Sequence, residues 1–196
     1  MQALFKSAVA LAHHYWSLLL QADDTAIDAT CGNGQDTLFL TTRLTKGCVI
    51  ALDIQQKAIE ATRACLGEDQ THVHLFLQSH LNFPSLAFQR NIKLIVYNLG
   101  YLPGGGVKTL TTETSVTLES VHNALALIVP GGMVSLTCYP GHSEGAREEI
   151  ALLDLAKKLD PHFWSVCHHK WLNRNNAPSL LLIQKNLTQL TTKQDK

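Results

Sequence analysis

Between Thr25 and Asp53 the chain carries a strand, a glycine turn, a helical stretch and a second strand. The first apolar run, about residues 25–30, leads into Asp28-Ala29-Thr30-Cys31-Gly32-Asn33-Gly34-Gln35-Asp36-Thr37, where two glycines stand in a G-x-G spacing. A helical pattern follows over about 34–45, and Cys48-Val49-Ile50-Ala51-Leu52 forms a second strand that ends in Asp53. A helix between two strands makes them parallel, so the turn and Asp53 share one end of the sheet. Glycines let the backbone approach a ligand closely. A carboxylate at the end of the second strand can accept two hydrogen bonds from ribose hydroxyls. The unit predicts a pocket for a nucleoside.

The alternation continues through the chain and predicts an α/β fold with a mostly parallel sheet and helices on both faces. Leu4, Ala8, Leu11, Tyr15 and Leu18 recur at helical spacing, which predicts a first helix over 3–21. A helix from Ile54 to Leu66 stops at Gly67, and Val73, Leu75 and Leu77 mark a third strand with one less buried face. Ile92–Asn98 is the fourth strand, and a Gly/Pro-rich loop, Leu99 to Lys108, follows it. A helix is expected over Thr114–Ile128, a turn at Pro130-Gly131-Gly132 and a fifth strand over Met133–Tyr139. The next helix, Ser143 to Leu159, has Glu144, Glu148 and Glu149 near its start and Lys157-Lys158 at its end, as the helix dipole favours. Strands at about 163–170 and 179–185 complete a set of seven, and residues 186–196 read as a frayed polar tail. The connection from Trp171 to Pro178 is too short for a parallel crossover, so the last pair is antiparallel. A doubly wound seven-stranded sheet closing on such a hairpin is the architecture of Rossmann-like class I methyltransferases. Dehydrogenases more often end in parallel βα units.

A length of 196 residues fits one domain with a single core over 1–196. The formal net charge of +0 gives no global electrostatic case for nucleic acid, which leaves a local patch as the route to RNA. No apolar run approaches the ~20 residues that span a bilayer, so no membrane partner is expected. Met1 to Gln21 lacks a cleavage site and reads as an amphipathic helix, not a signal peptide. Five scattered cysteines without a C-x-x-C pattern suit reduced thiols in a cytoplasmic protein.

The cofactor follows from charge. A nicotinamide dinucleotide needs G-x-G-x-x-G, and here the third glycine position is Thr37. Asp36 in the first helical turn would stand beside a pyrophosphate, whereas S-adenosylmethionine (SAM) has no phosphate and carries positive sulfonium and ammonium groups. Asp28 and Asp36 therefore favour SAM. The expected cofactor set is Asp28, Cys31, Gly32, Asn33, Gly34, Gln35, Asp36, Thr37, Asp53, Ile54, Gln55, Ser79, His80 and Asn98. For Ser79 and His80 two readings stand: contacts to the adenine edge, or a helix N-cap beside a solvent histidine.

The loop Asn98-Leu99-Gly100-Tyr101-Leu102-Pro103 echoes the N-P-P-Y loop of amino-group methyltransferases. There the Asn oxygen accepts from the target NH₂ and the aromatic ring stacks on the base, so positive charge growing on nitrogen is stabilised. A tight turn with Asn98 holding the loop is the structural alternative. Tyr139 is a candidate for base stacking. His142 is a candidate for substrate hydrogen bonding or proton removal, or a structural residue at a helix start. The catalytic candidates are thus Asn98, Tyr101, Tyr139 and His142. His13-His14 and His168-His169 are adjacent pairs that do not share a face, and no metal site is expected.

The strings D-A-T-C-G-N-G-Q-D-T-L-F-L, D-I-Q, S-H, N-L-G-Y-L-P-G-G and Y-P-G-H-x-x-G resemble a family of small bacterial methyltransferases labelled rRNA methylases. The resemblance runs from about residue 13 to Asn173, Ala177, Pro178 and Leu180. It implies SAM-dependent methylation of the aminomethyl group of 5-aminomethyl-2-thiouridine at the tRNA wobble position. Gly106-Val107-Lys108 departs from the family's G-G-D-K continuation by replacing the acid. The tRNA patch would draw on Lys108, Arg147, His169, Lys170 and Arg174, with Lys6 beside them, or these are solvated surface charges. A homodimer would pool two such patches. The rivals are an rRNA or small-molecule methyltransferase, an NAD(P)-dependent oxidoreductase and a non-catalytic SAM-binding module.

Overall fold

The computed structural model describes residues 6–67, 71–100 and 113–187. Seven strands form one sheet: β1 (Thr25–Asp28), β2 (Cys48–Asp53), β3 (Val73–Leu77), β4 (Ile92–Asn98), β5 (Ile128–Cys138), β6 (Trp164–His169) and β7 (Ser179–Lys185). Their spatial order is β3-β2-β1-β4-β5-β7-β6. The first five pair in parallel, and β7 runs antiparallel to both β5 and β6, as the short Trp171–Pro178 connection requires. The helices are α1 (Ala8–Leu19), α2 (Gln35–Arg43), α3 (Gln56–Leu66), α4 (Thr114–Leu127) and α5 (Ser143–Ala156).

Side chains alternate along each central strand and build two cores. Ile27, Ile50, Ile95, Tyr97 and Leu136 face one side with Val121 and Leu125 of α4 and Leu152 of α5. Ala26, Val49, Leu94, Val96 and Leu182 face the other with Ala12 and Trp16 of α1 and Leu40 of α2.

Several element ends differ from the sequence expectations for identifiable reasons. Helix α1 begins at Ala8, not at residue 3, because Ser7 is extended and its hydroxyl accepts from Ala10 N–H at 3.0 Å as an N-cap. Helix α3 begins two residues late because the Asp53 carboxylate takes the Gln55 N–H and holds that residue extended. The expected Pro130-Gly131-Gly132 turn lies inside β5 as a bulge: Ile128 pairs with Ile92, and the next pair is Met133 with Leu94. Strand β3 is an edge, so Leu77 is exposed while Phe76 packs on the main core. Glu148 and Glu149, near the start of α5 as expected, are buried and accept hydrogen bonds from Thr117 and Ser179.

Candidate active site

The strand order reverses between β1 and β4, and ligands of open α/β sheets bind at such a point beyond the carboxyl ends of the strands. A cavity of about 740 Å³ opens there. Its wall holds the expected Cys31, Gly32, Asn33, Gln35, Asp36, Asp53, Ile54, Gln55, Ser79, His80, Asn98 and Tyr139. It also holds Val9, Ala29, Thr30, Leu99, Gly100, Glu113 and Val116, which the sequence reading missed. Thr30 was findable, since it sits inside the glycine motif. Val9 carries no local signal, because α1 meets the site through tertiary packing.

The turn after β1 is fixed by backbone bonds. Cys31 N–H donates to Leu52 O at 2.9 Å, and Gly34 N–H donates to Cys31 O at 2.7 Å. Gly34 has φ +81, and a Cβ there would lie 2.8 Å from the Thr62 Cα of α3. Glycine alone satisfies both the conformation and the contact. The Asp53 carboxylate accepts from Gly32 N–H at 3.1 Å and from Gln55 N–H at 2.9 Å, which aims it at the cavity. Burial raises its pKa against the opposing effect of those bonds.

Three expected cofactor residues stand behind this wall. Asp28 is fully buried and accepts from Thr37 Oγ1 at 2.6 Å and Thr30 N–H at 3.3 Å. Burial, followed by the nearby Asp36 charge, pushes its pKa up to about 7. Asp28, Thr37 and Gly34 thus brace the turn and do not line the cavity.

Opposite Asp53, Asn98 closes the end of β4. Its backbone N–H donates to Thr30 Oγ1 at 2.7 Å, and its side-chain Nδ2 donates to Asp36 Oδ2 at 3.2 Å. Burial and then the Asp36 charge raise the pKa of the Tyr139 hydroxyl, against the opposing effect of the nearby Asn98 side chain. The ring of Tyr139 also bounds the space over Gly100. Asn98, Asp36 and Tyr139 therefore converge on the cavity, while Tyr101 lies outside the described residues. His142 is not on the wall: its side chain caps α5 by accepting from Gly145 N–H at 3.1 Å, the structural alternative of its two readings.

Ser79 and His80 both reach the cavity. The Ser79 hydroxyl accepts from Leu81 N–H at 3.2 Å in a turn, and the next helical element begins only at Ser85, so no helix is capped there. His80 is 8% exposed and meets the Tyr97 ring edge-on at 5.7 Å. Burial pulls its pKa down to about 4, so the ring is neutral near pH 7. Its Nδ1 has no hydrogen-bond partner among the described residues. A buried nitrogen in that state suits a ligand's base edge.

These residues fit SAM. The Asp53 carboxylate on the wall would suit ribose hydroxyls, a neutral imidazole with spare capacity lies one strand further out, and the acidic Asp36 would match a cationic ligand. Among the described residues no group of three His, Cys, Asp or Glu is placed to hold a metal.

The sheet order and this site define a class I SAM-dependent methyltransferase. The chain belongs to the family described as "Putative rRNA methylase", which matches residues 49–185. It is similar to the "tRNA (mnm(5)s(2)U34)-methyltransferase, chloroplastic" of Arabidopsis thaliana, with 36% identity over 193 residues, 92% of this chain and 70% of that protein. Among solved structures, a "putative rRNA-methylase" of Clostridium thermocellum is 31% identical, with TM-score 0.85 over 93% of this chain and 100% of that one. A "putative methyltransferase" of Streptococcus mutans in complex with SAH is 32% identical, with TM-score 0.80 over 92% and 98%. No helix among the described residues is long and apolar enough to cross a membrane.

Proposed function

We propose that this enzyme methylates the aminomethyl nitrogen of 5-aminomethyl-2-thiouridine at the tRNA wobble position, in the cytoplasm. The observation that carries the reading is the Asn98–Asp36–Tyr139 cluster at the cavity, an amine-accepting arrangement in a chain similar to a relative named for that activity. Bound SAM supplies a methyl group on a positive sulfonium, already activated for attack. The protein's part is then placement and charge stabilisation, with no covalent enzyme intermediate. Asp53 holds the ribose hydroxyls, and Ser79 and His80 meet the adenine. The carbonyl oxygen of Asn98 accepts from the amine N–H and favours the positive charge that grows on nitrogen. Tyr139 offers a ring face to the base.

For RNA we assign the β6–β7 loop and its neighbours. The Arg174 guanidinium lies 4.5 Å over the Trp171 ring, and His169 packs against Tyr15 of α1 at 5.3 Å. A Cβ on Gly141 would lie 3.9 Å from Asn176 O, which joins this loop to the turn after Tyr139. Lys170 and Arg174 give the patch its charge. Arg147 is engaged with Glu144, and Lys108 lies outside the described residues. Two copies would double the surface, and sedimentation at working concentration reads that state.

The family description favours rRNA as a second reading. One experiment separates them. Mass spectrometry of nucleosides from a deletion strain should show 5-aminomethyl-2-thiouridine accumulating in tRNA. A lost methyl mark in rRNA with tRNA unchanged would replace the tRNA reading with the rRNA one.

A further inference from the structure

We propose that His13, on the N-terminal helix, is a positioning residue for the methyl acceptor, acting through Asp36 on the side-chain amide of Asn98. This rests on the reading of Asn98 as the amine's hydrogen-bond acceptor.

The geometry is a chain of three side chains from three elements. His13 Nε2 stands 2.7 Å from Asp36 Oδ1, and the other oxygen of Asp36 accepts from Asn98 Nδ2 at 3.2 Å. The His13 ring is clamped: it stacks on Phe39 with centroids 3.9 Å apart and planes 18° apart, and lies 4.9 Å from the Trp16 ring. The side chains of His13 and Asp36 are 24% and 10% exposed. The bond between them is thus largely shielded from water, where a hydrogen bond to a carboxylate is at its strongest.

The consequence lies in the two ends of an amide. An asparagine side chain can present either its oxygen or its nitrogen to a cavity, and the two have nearly the same shape. Ionised Asp36 has only acceptors, so it commits Nδ2 of Asn98 and leaves the carbonyl oxygen as the end that accepts from an amine. An amide turned the other way would point a donor at a nitrogen that is gaining positive charge. His13 fixes the carboxylate that makes this choice, and the backbone of Asn98 is already held by Thr30. Helix α1 therefore serves the active site as well as covering one core. Val9 on the same helix lines the cavity wall.

The test uses the full chain with His13→Phe, which keeps the stacking on Phe39 and removes the donor, and His13→Gln, which keeps a donor. Turnover on undermodified tRNA, SAM affinity by calorimetry and the Asn98 side-chain NH₂ resonances are read together. The resonances are assigned by their loss in Asn98→Ala. His13→Phe should lower kcat at least tenfold with SAM affinity within about threefold, and should move the Asn98 NH₂ pair. His13→Gln should recover most of the turnover. Unchanged turnover in His13→Phe, an equal loss of SAM affinity, or no rescue by glutamine would overturn the proposal. If the wild type leaves tRNA unmethylated, the functional reading fails by itself. The Asn98 resonances then decide the His13 link, and an unmoved pair in His13→Phe sinks it.

Discussion

The Asp53 carboxylate accepts a hydrogen bond from the Gly32 N–H at 3.1 Å, which ties the end of β2 to the glycine turn after β1. Its second oxygen is held by Gln55 N–H at 2.9 Å. The group proposed to receive the ribose is therefore preorganised by the backbone that shapes the pocket floor. Asp53→Ala removes the acceptor for two hydroxyls and strands both N–H groups. Hydrogen bonds to charged groups contribute about 1.5–3 kcal/mol each, so SAM affinity should fall at least ~10-fold. Calorimetry reads the loss directly. Saturating SAM should also raise the wild-type melting temperature by several degrees and the variant's by far less.

Gly34 tests the turn itself. A side chain there must adopt φ +81 and meet the Thr62 backbone at 2.8 Å. The left-handed conformation alone costs roughly 1–2 kcal/mol, and the contact forces α3 away from α2. Gly34→Ala should lower the melting temperature by about 4 °C or more and weaken SAM binding with it. Gly67 is the comparison: it has φ +71 with ψ −162, and among the described residues nothing lies within 4 Å of an added Cβ. Gly67→Ala should carry the conformational cost and leave SAM affinity as it was.

Asn98 separates chemistry from cofactor binding. Its backbone stays anchored to Thr30 whatever the side chain, so Asn98→Ala removes the acceptor and preserves the loop's start. Loss of one preorganised polar group aimed at developing charge costs roughly 10²–10³ in kcat. A ~100-fold drop in turnover with SAM affinity within about threefold is the expected outcome. A parallel loss of affinity would leave Asn98 with a role in cofactor binding and none specific to the amine.

The limits of the sequence follow from the same residues. Cys48–Asp53 and Ile92–Asn98 were readable to the residue, because buried parallel strands are continuous apolar runs that stop where the site begins. Asp53 and Asn98 sit at those stops, and both line the cavity. Asp28 and Thr37 lie in the same motif, yet they satisfy each other behind the wall, and residue type cannot distinguish a carboxylate facing a ligand from one facing a threonine. The burial of Glu148 and Glu149 was not legible in the sequence, because their partners, Thr117 and Ser179, come from other elements. His13 was hidden in the same way: it is 23 residues from Asp36, on a helix whose pattern announces only a core face.

His80 makes stability depend on pH in a defined window. Its folded pKa is lowered by burial to about 4 from a model-peptide value of 6.5, so between those values the unfolded chain binds the extra proton. The contribution of His80 is complete above pH 6.5, where the ring is neutral in both states, and is lost progressively as pH falls toward 4. The slope from this one group is at most on the order of 1.4 kcal/mol per pH unit. His80→Gln keeps a polar side chain that cannot take up a proton, so its stability should fall less steeply than the wild type's between pH 6.5 and 4.5. Denaturant melts at fixed pH values give both slopes. SAM contributes a second signature: a ligand that uses the Nδ1 of a neutral ring should bind the wild type with constant affinity down to about pH 5 and more weakly as pH reaches the folded value of about 4, and should bind His80→Gln with a flatter pH dependence there. Parallel stability slopes would remove His80 from the acid response, and parallel SAM affinities down to about pH 4 would remove it from the adenine contact.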